Sequence, residues 1–256
     1  MVHPGDMRKL TSAEVASRVA NGQTTAIVVL GAQEQHGRHL PLETDSRLGA
    51  HLAQLVSDRL GDALIAPVVS VGFSPEQMRF PGTLTLREET LAAVVEDYVT
   101  SLEAHGFTRI VLLPSHGGNF APLARMLPQL RMGHPETEIV AYTGLIALGS
   151  SAGAIAAEVG VTADEAGAHG GEWETSLMLA VEPDRVQMDL AEAGFMGDLG
   201  TVLDQIYAEG MESVAPNGIM GDPAKASAEH GRMYFDRLAE LIADHVRRES
   251  DRRSGE

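Results

Sequence analysis

Cysteine is absent from this sequence of 256 residues, and tryptophan occurs once. Without cysteine the chain has no disulfide framework, no thiolate nucleophile and no zinc finger built from thiolates. Any metal ion must therefore be held by histidine and carboxylate side chains.

Basic residues are also scarce. The chain has 19 Lys and Arg against 36 Asp and Glu, which gives a formal net charge of −17. Nucleic-acid binding depends largely on basic groups that replace counterions on phosphate, and no basic stripe stands out along the chain. The composition therefore argues against a nucleic-acid partner. The surplus of carboxylates suits a divalent-metal site, and more simply a well-solvated surface.

No apolar run is long enough to span a membrane. The most apolar stretch, residues 144–161, is interrupted by serines, glycines and Glu158. The first residues, MVHPGDMRKL, lack the order of basic, apolar and small residues that marks a secretory signal. We therefore expect a soluble, cytoplasmic protein with no membrane partner.

Short apolar runs rich in β-branched residues alternate with amphipathic segments. The apolar runs predict strands buried on both faces, over residues 25–30, 64–71, 109–113 and 139–142. Helical spacing of apolar residues predicts helices over residues 45–60, from a Thr85–Glu88 capping box to about Gly106, over residues 120–132, and from Asp222 to about Arg248.

This alternation predicts an α/β fold in which helices cover both faces of a parallel sheet, connected by right-handed βαβ units. We expect one domain over residues 1–250 and a frayed tail over residues 251–256.

Unusually polar loops follow two of the predicted strands, and a third polar segment, HGGEWETS, lies further along. Because parallel strands share one direction, these segments should meet at the carboxyl edge of the sheet, where ligands bind in open α/β folds. The residues of interest are Glu34, His36, His39, Glu43, Asp45, His116, Asn119, His169, Glu172 and Glu174.

Each segment also has a simpler explanation when it is taken alone. Asp45 can be the N-cap of the helix that follows it, and SHGGN can be an ordinary glycine-rich turn. His39 and Glu43 are best interpreted as hydrogen-bonded or surface residues. Three clusters of this composition on three loops nevertheless favour one shared site.

Four motifs in this order resemble the creatininase family of metal-dependent amidohydrolases. They are GAQEQHGRHLPLETD (Gly31 to Asp45), FPGTLTL (Phe80 to Leu86), SHGGN (Ser115 to Asn119) and HGGEWETSLML (His169 to Leu179). The resemblance runs from about residue 11 to the C-terminal helix and includes the GDP of residues 221–223.

The resemblance implies a compact α/β fold, a homohexamer, and two divalent ions, commonly Zn or Mn, bridged by an aspartate. By motif, Glu34, Asp45 and His116 would hold one ion, and His36, Asp45 and Glu172 the other. The catalytic histidine of the family matches His169.

Two departures bear on the substrate. The founding member of the family has a metal-binding carboxylate at the position of Gly118, so Glu172 is expected to supply the missing group. It also closes two tryptophans over creatinine, whereas this chain has only Trp173, expected beside the metals in contact with substrate. The pattern is closer to members that hydrolyse formamides, other small amides or peptide bonds.

The expected mechanism is attack of a metal-bridging hydroxide on an amide carbonyl, because two divalent ions lower the pKa of a shared water to roughly neutral. His169 would be the general acid for the leaving nitrogen. Backbone N–H groups of Gly117 and Gly118 would face the oxyanion. Asn119 would either donate to the substrate or hold the turn.

Two alternatives remain open from the sequence. The same hydroxide could open a lactone or a cyclic ketone, or the chain could be a non-catalytic metal-binding subunit of an oligomer. Histidine and carboxylate ligands accept Zn, Mn or Fe, so the native metal is also open.

Overall fold

A computed structural model describes residues 3–254 and contains one parallel four-stranded sheet with strand order β2-β1-β3-β4. The strands are β1 (Thr25–Leu30), β2 (Ala63–Ile65), β3 (Arg109–Pro114) and β4 (Glu138–Ala141). Thr25 is in register with Ala63 on one side and with Arg109 on the other. Strands β1 and β2 are buried throughout, as expected of strands covered on both faces.

Nine helices are found in the described part of the chain. They are α1 (Ser12–Ala20), α2 (Thr44–Leu60), α3 (Glu88–Ala104), α4 (Phe120–Gly133), α5 (Leu145–Ala157), α6 (Ala163–Ala166), α7 (Glu172–Val181), α8 (Leu199–Glu209) and α9 (Ala228–Ser254).

Alternate residues of the central strands face two separate cores. Ile27 and Val29 of β1 point into a core shared with α2, α7 and α9. Ala26 and Val28 point into a second core shared with α3 and α4. The predicted sheet with helices on both faces is therefore confirmed.

Several predicted boundaries are wrong. The run over residues 64–71 forms a strand only at Ala63–Ile65, and Val69 adds a single bridge to Leu30. Thr85 and Glu88 form no capping box: Arg87 is the N-cap of α3, and the Thr85 hydroxyl donates to the carbonyl of Leu86.

The C-terminal helix also differs from its prediction. Asp222 caps a separate 3₁₀ turn, Pro223–Lys225, and the backbone of Ala226 is extended before α9 begins at Ala228. The helix continues to Ser254, so residues 251–254 are helical, not frayed. Residues 255–256 of the expected tail lie outside the described residues.

Within residues 3–254, no helix combines the length and apolar character that a membrane crossing requires.

Candidate metal centre

Three chain segments meet at the carboxyl edge of the sheet, where β1 and β3 end and α7 begins. Together with the loop after β2, they collect histidines and carboxylates that are almost fully buried, apart from the partly exposed Glu174. The members are Glu34, His36, Asp45, Glu76, His116, His169 and Glu174. This group is the candidate metal centre.

Asp45, in the first turn of α2, lies between two histidines. Its Oδ1 is 3.4 Å from Nε2 of His36, and its Oδ2 is 3.8 Å from Nδ1 of His116. Glu34 places Oε1 at 3.1 Å from Nδ1 of His116, and Glu174 places Oε2 at 3.5 Å from Nε2 of His36. Each oxygen of Asp45 thus faces a different half of the centre, the arrangement that a bridging carboxylate needs.

Backbone carbonyls orient both imidazoles. Nδ1 of His36 donates to the carbonyl of Glu34 at 3.2 Å, which directs Nε2 toward Asp45. Nε2 of His116 donates to the carbonyl of Phe73 at 2.9 Å, which directs Nδ1 toward Asp45. Ligating histidines in proteins are held in this way, with the second nitrogen donating to a fixed acceptor.

The centre fits divalent cations. Oε2 of Glu34, Nε2 of His36 and Oδ2 of Asp45 are buried without a hydrogen-bond partner, and an unpaired buried polar atom costs free energy. Ligand atoms lie within 4.8 Å of one another in three sets: Glu34, His36 and His169; Glu34, Glu76 and His116; His36, Asp45 and Glu174. Imidazole and carboxylate donors suit zinc, manganese and iron.

The charges of the centre shift its pKa values strongly. Burial disfavours the imidazolium of His36, but the carboxylates of Asp45 and Glu174 outweigh it and raise the pKa to about 10. Burial also disfavours the imidazolium of His116, but the carboxylates of Glu34 and Asp45 outweigh it and raise the pKa of His116 to about 10. A divalent cation competes with these protons for the same imidazole lone pairs.

The expectation that Glu172 reaches the centre is wrong. Its carboxylate is fully buried between α7 and α9, where Oε1 accepts from Ser176 and His230 and Oε2 accepts from Tyr234. Residues two positions apart on a helix point about 200° apart. The side chain that faces His36 is therefore Glu174, which takes the place expected for Glu172.

His169 is the member of the centre that lies next to Glu34 and His36. Its Nε2 donates to the carbonyl of Gln35 at 2.5 Å, and its Nδ1 faces Oε1 of Glu34 at 3.6 Å. The ring stacks on His36 with centroids 4.1 Å apart. Burial and the neighbouring His36 lower the pKa of His169 to about 4, so the imidazole is neutral at pH 7 and accepts a proton before it can donate one.

The SHGGN turn divides into open and packed positions. At Gly117 no atom lies within 4 Å of an added Cβ, whereas a Cβ at Gly118 would lie 2.2 Å from the carbonyl oxygen of Phe73. No carboxylate side chain fits at position 118 in this backbone. Asn119 is not a substrate donor: its amide donates to the carbonyls of Leu30 and Gly31 and its Oδ1 accepts from Phe73, so it holds the turn.

Sequence reasoning missed the loop after β2, which supplies a further carboxylate. Glu76 lies in the 3₁₀ turn Pro75–Gln77 and is buried. Burial raises its pKa to about 7, although His116 opposes the shift. Neither helical nor strand periodicity marks this loop, so only its acidic residue signalled a role, and acidic loop residues are common.

A cavity of about 450 Å³ opens onto the centre. Gly117, Gly118 and Trp173 lie on its wall, and helices α5, α8 and α9 contribute apolar side chains such as Leu145 and Ile242. The indole of Trp173 stacks on Tyr234 with centroids 4.1 Å apart. Substrate reaching the centre would therefore contact one polar end and a largely apolar wall.

Comparisons with known proteins find one matching family and solved structures of the same fold. Residues 8–246 match the sequence profile of the family described as Creatininase: Creatinine amidohydrolase. The mycofactocin precursor peptide peptidase of Mycolicibacterium smegmatis is 32% identical over 257 residues, covering 98% of this chain and 94% of that protein. A solved creatininase mutant of the Zn-Zn type superposes with a TM-score of 0.79 at 26% identity, covering 95% of this chain and 97% of that one. A creatininase structure with Mn superposes with a TM-score of 0.77 at 26% identity, covering 96% of this chain and 98% of that one.

Proposed function

Since the chain belongs to the creatininase family of hydrolases, we propose that it is a dinuclear metal-dependent enzyme that cleaves the C–N bond of a small amide or short peptide. The observation that carries this proposal is the set of buried, unpartnered ligand atoms around Asp45. The relative named as a peptidase supports a peptide or amide substrate.

The distances around Asp45 support one set of ligands for each ion. Glu34, Asp45 and His116 would hold one ion, and His36, Asp45 and Glu174 the other. Zn and Mn are the expected metals, because related structures contain them, and Fe suits the same donors. When bound, such ions acidify water and polarise a carbonyl oxygen.

The chain's own residues move the proton and hold the substrate. As water attacks the amide carbon and the C–N bond breaks, Nδ1 of His169 would take a proton from that water and deliver it to the leaving nitrogen. Because Nε2 of His169 donates to the carbonyl of Gln35, Nδ1 is the ring nitrogen that remains available for the proton. Gly117 and Gly118 line the cavity, and their N–H groups would face the developing oxyanion. Trp173 supplies an aromatic contact for the substrate.

We further propose that the enzyme is cytoplasmic and that six copies of the chain assemble into a homohexamer, the assembly that the resemblance to the family implies. Neither a nucleic acid nor a membrane is part of it.

The test is a screen of the metal-reconstituted protein over formamides, cyclic amides and short peptides, with Asp45→Ala in parallel. We expect turnover of at least one amide by the wild type, together with loss of both ions and of turnover in Asp45→Ala. Full metal retention after removal of the bridging carboxylate would contradict the ligand assignment. No turnover of any amide at full metal loading would contradict the activity.

His169→Asn separates a proton carrier from a ligand. A proton carrier should leave the metal content intact and lower kcat by about 10²–10⁴-fold on an unactivated amide. Most of the rate should return on an activated anilide, whose leaving group needs no proton. Metal loss instead would make His169 a ligand, together with Glu34 and His36.

A further inference from the structure

We propose that Glu76 binds a cationic nitrogen of the substrate, so that the site prefers amides or peptides with an ammonium group near the scissile bond. This inference rests on the proposed amide hydrolysis, which it extends to a class of substrate.

Glu76 is a buried carboxylate on the wall of the cavity. The residue is 8% exposed, and its Oε2 is buried without a hydrogen-bond partner. It lies on the cavity wall with His116 and Gly117, next to the proposed catalytic groups. A carboxylate that stays charged in such a place needs a partner, because burying an unpaired charge is costly.

Among the described residues, Glu76 shares a possible ligand set with Glu34 and His116 but none with Asp45. Its Oε1 is 3.9 Å from Nε2 of His116, beyond hydrogen-bond distance. That nitrogen already donates to the carbonyl of Phe73, and the nitrogen that faces Asp45 is Nδ1, on the other side of the ring. Glu76 therefore lies beyond His116, on the side away from the bridging carboxylate.

Protonated His116 is a cation near Glu76, but a metal ion bound to His116 would displace that proton. Among the described residues that line the cavity there is no lysine and no arginine, while Asp164 and Asp198 add further acidic groups. An ammonium group from the substrate would give Glu76 the charge-assisted hydrogen bond that the fold leaves unmade. The same wall disfavours a substrate with a free carboxylate on this side.

The experiment compares two probes of similar size that differ in charge, benzylammonium and benzyl alcohol. Trp173 is the single tryptophan of the chain and lies on the same cavity wall, so its fluorescence reports occupancy of the cavity. Titrations of the metal-loaded protein at pH 7 give a dissociation constant for each probe. Metal content is measured for every variant.

We expect the wild type to bind benzylammonium about tenfold or more tightly than benzyl alcohol, because a hydrogen bond between charged groups is stronger than one to a neutral hydroxyl. Glu76→Gln should abolish this preference with unchanged metal content. Asp164→Asn removes one exposed carboxylate from the same cavity and serves as the matched control, which should keep the preference.

Three results would overturn the proposal. Equal affinity of the wild type for both probes would show that Glu76 does not select a cation, as when a protonated Glu76 donates to neutral groups. A preference that survives in Glu76→Gln would place the ammonium elsewhere, for example on a metal ion. Metal loss in Glu76→Gln would make the residue a ligand. Absence of amide turnover alongside an intact probe preference would remove only the proposed reaction.

Discussion

Two glutamates two positions apart on α7 have different roles because the helix turns them to different sides. Glu174 faces His36, with Oε2 also accepting from the backbone of Gly170, while Glu172 is bound by donors from α7 and α9. One carboxylate thus belongs to the site and the other to the packing beneath it.

Glu174→Gln and Glu172→Gln should therefore differ in kind. Glu174→Gln should lose the ion held with His36 and show little change in stability, since Glu174 is partly exposed. Glu172→Gln should keep its metal and lose about 2–5 kcal/mol of unfolding free energy, because buried hydrogen bonds to a charged acceptor are weakened. Metal analysis and urea unfolding check both. Metal loss from folded Glu172→Gln would return that residue to the coordination shell.

At the scale of elements, His134 joins the end of α4 to α3. Its Nδ1 is 2.6 Å from Oε2 of Glu103 and its Nε2 is 3.0 Å from Oε1 of Glu96. Burial disfavours the charged ring, but the hydrogen bonds to the two carboxylates outweigh it and raise the pKa of His134. The protonated imidazole is therefore the stabilising form.

This contact should make stability depend on pH with a defined sign. Because the folded pKa is raised, the contribution is fully present below the unfolded pKa of about 6.5 and is lost as the pH rises through the folded value. The difference in unfolding free energy between wild type and His134→Gln should be larger at pH 6 than at pH 9. His105→Gln, at the exposed end of α3, is the control. An equal difference at both pH values would contradict the role of the proton.

Close packing of α7 against α9 depends on Gly231. A Cβ at this position would lie 1.9 Å from the carbonyl oxygen of Ser176 and 3.0 Å from Cβ of Ala180. Gly231→Ala should force the helices apart and cost about 1–3 kcal/mol. At Gly149 in α5, an added Cβ would have no atom within 4 Å outside its own helix. Gly149→Ala should therefore increase the free energy of unfolding by about 0.5–1 kcal/mol. Thermal unfolding distinguishes them, and equal effects would reject the packing argument.

The sequence predicted those elements whose signal comes from burial. Strands β1, β3 and β4 are short apolar runs whose residues are almost all buried. Capping signals were less informative, because side chains such as Asp222 cap whichever turn is nearest. Of the residues that the structure brings together, Glu34, His36, Asp45 and His116 were proposed from segments after predicted strands, and His169 from the polar segment before α7. Glu172 was mistaken for Glu174 because the phase of α7 is not readable from its first residues. Glu76 was missed because an irregular loop has no period.

At the scale of the whole molecule, association has to overcome charge. The chain carries a formal net charge of −17, so identical copies repel one another. Helix α5 has the opposite character: its sequence LIALGSSAGAIAA contains no charged residue, and Ile146 is 57% exposed. Exposed apolar surface of this kind favours contact between molecules.

We therefore predict a closed oligomer whose stability increases with ionic strength. Salt shortens the range of repulsion between exposed charges, from about 30 Å at 0.01 M to about 10 Å at 0.1 M, and leaves apolar contacts in place. Light scattering at micromolar concentration should give a multiple of the monomer mass of 27.2 kDa and a larger oligomeric fraction at high salt than at low salt. Six copies is the number that we proposed from the resemblance to the family. The monomer mass at both salt concentrations would reject the assembly. A mass that falls as salt is added would show that ion pairs, and not apolar surface, hold the copies together.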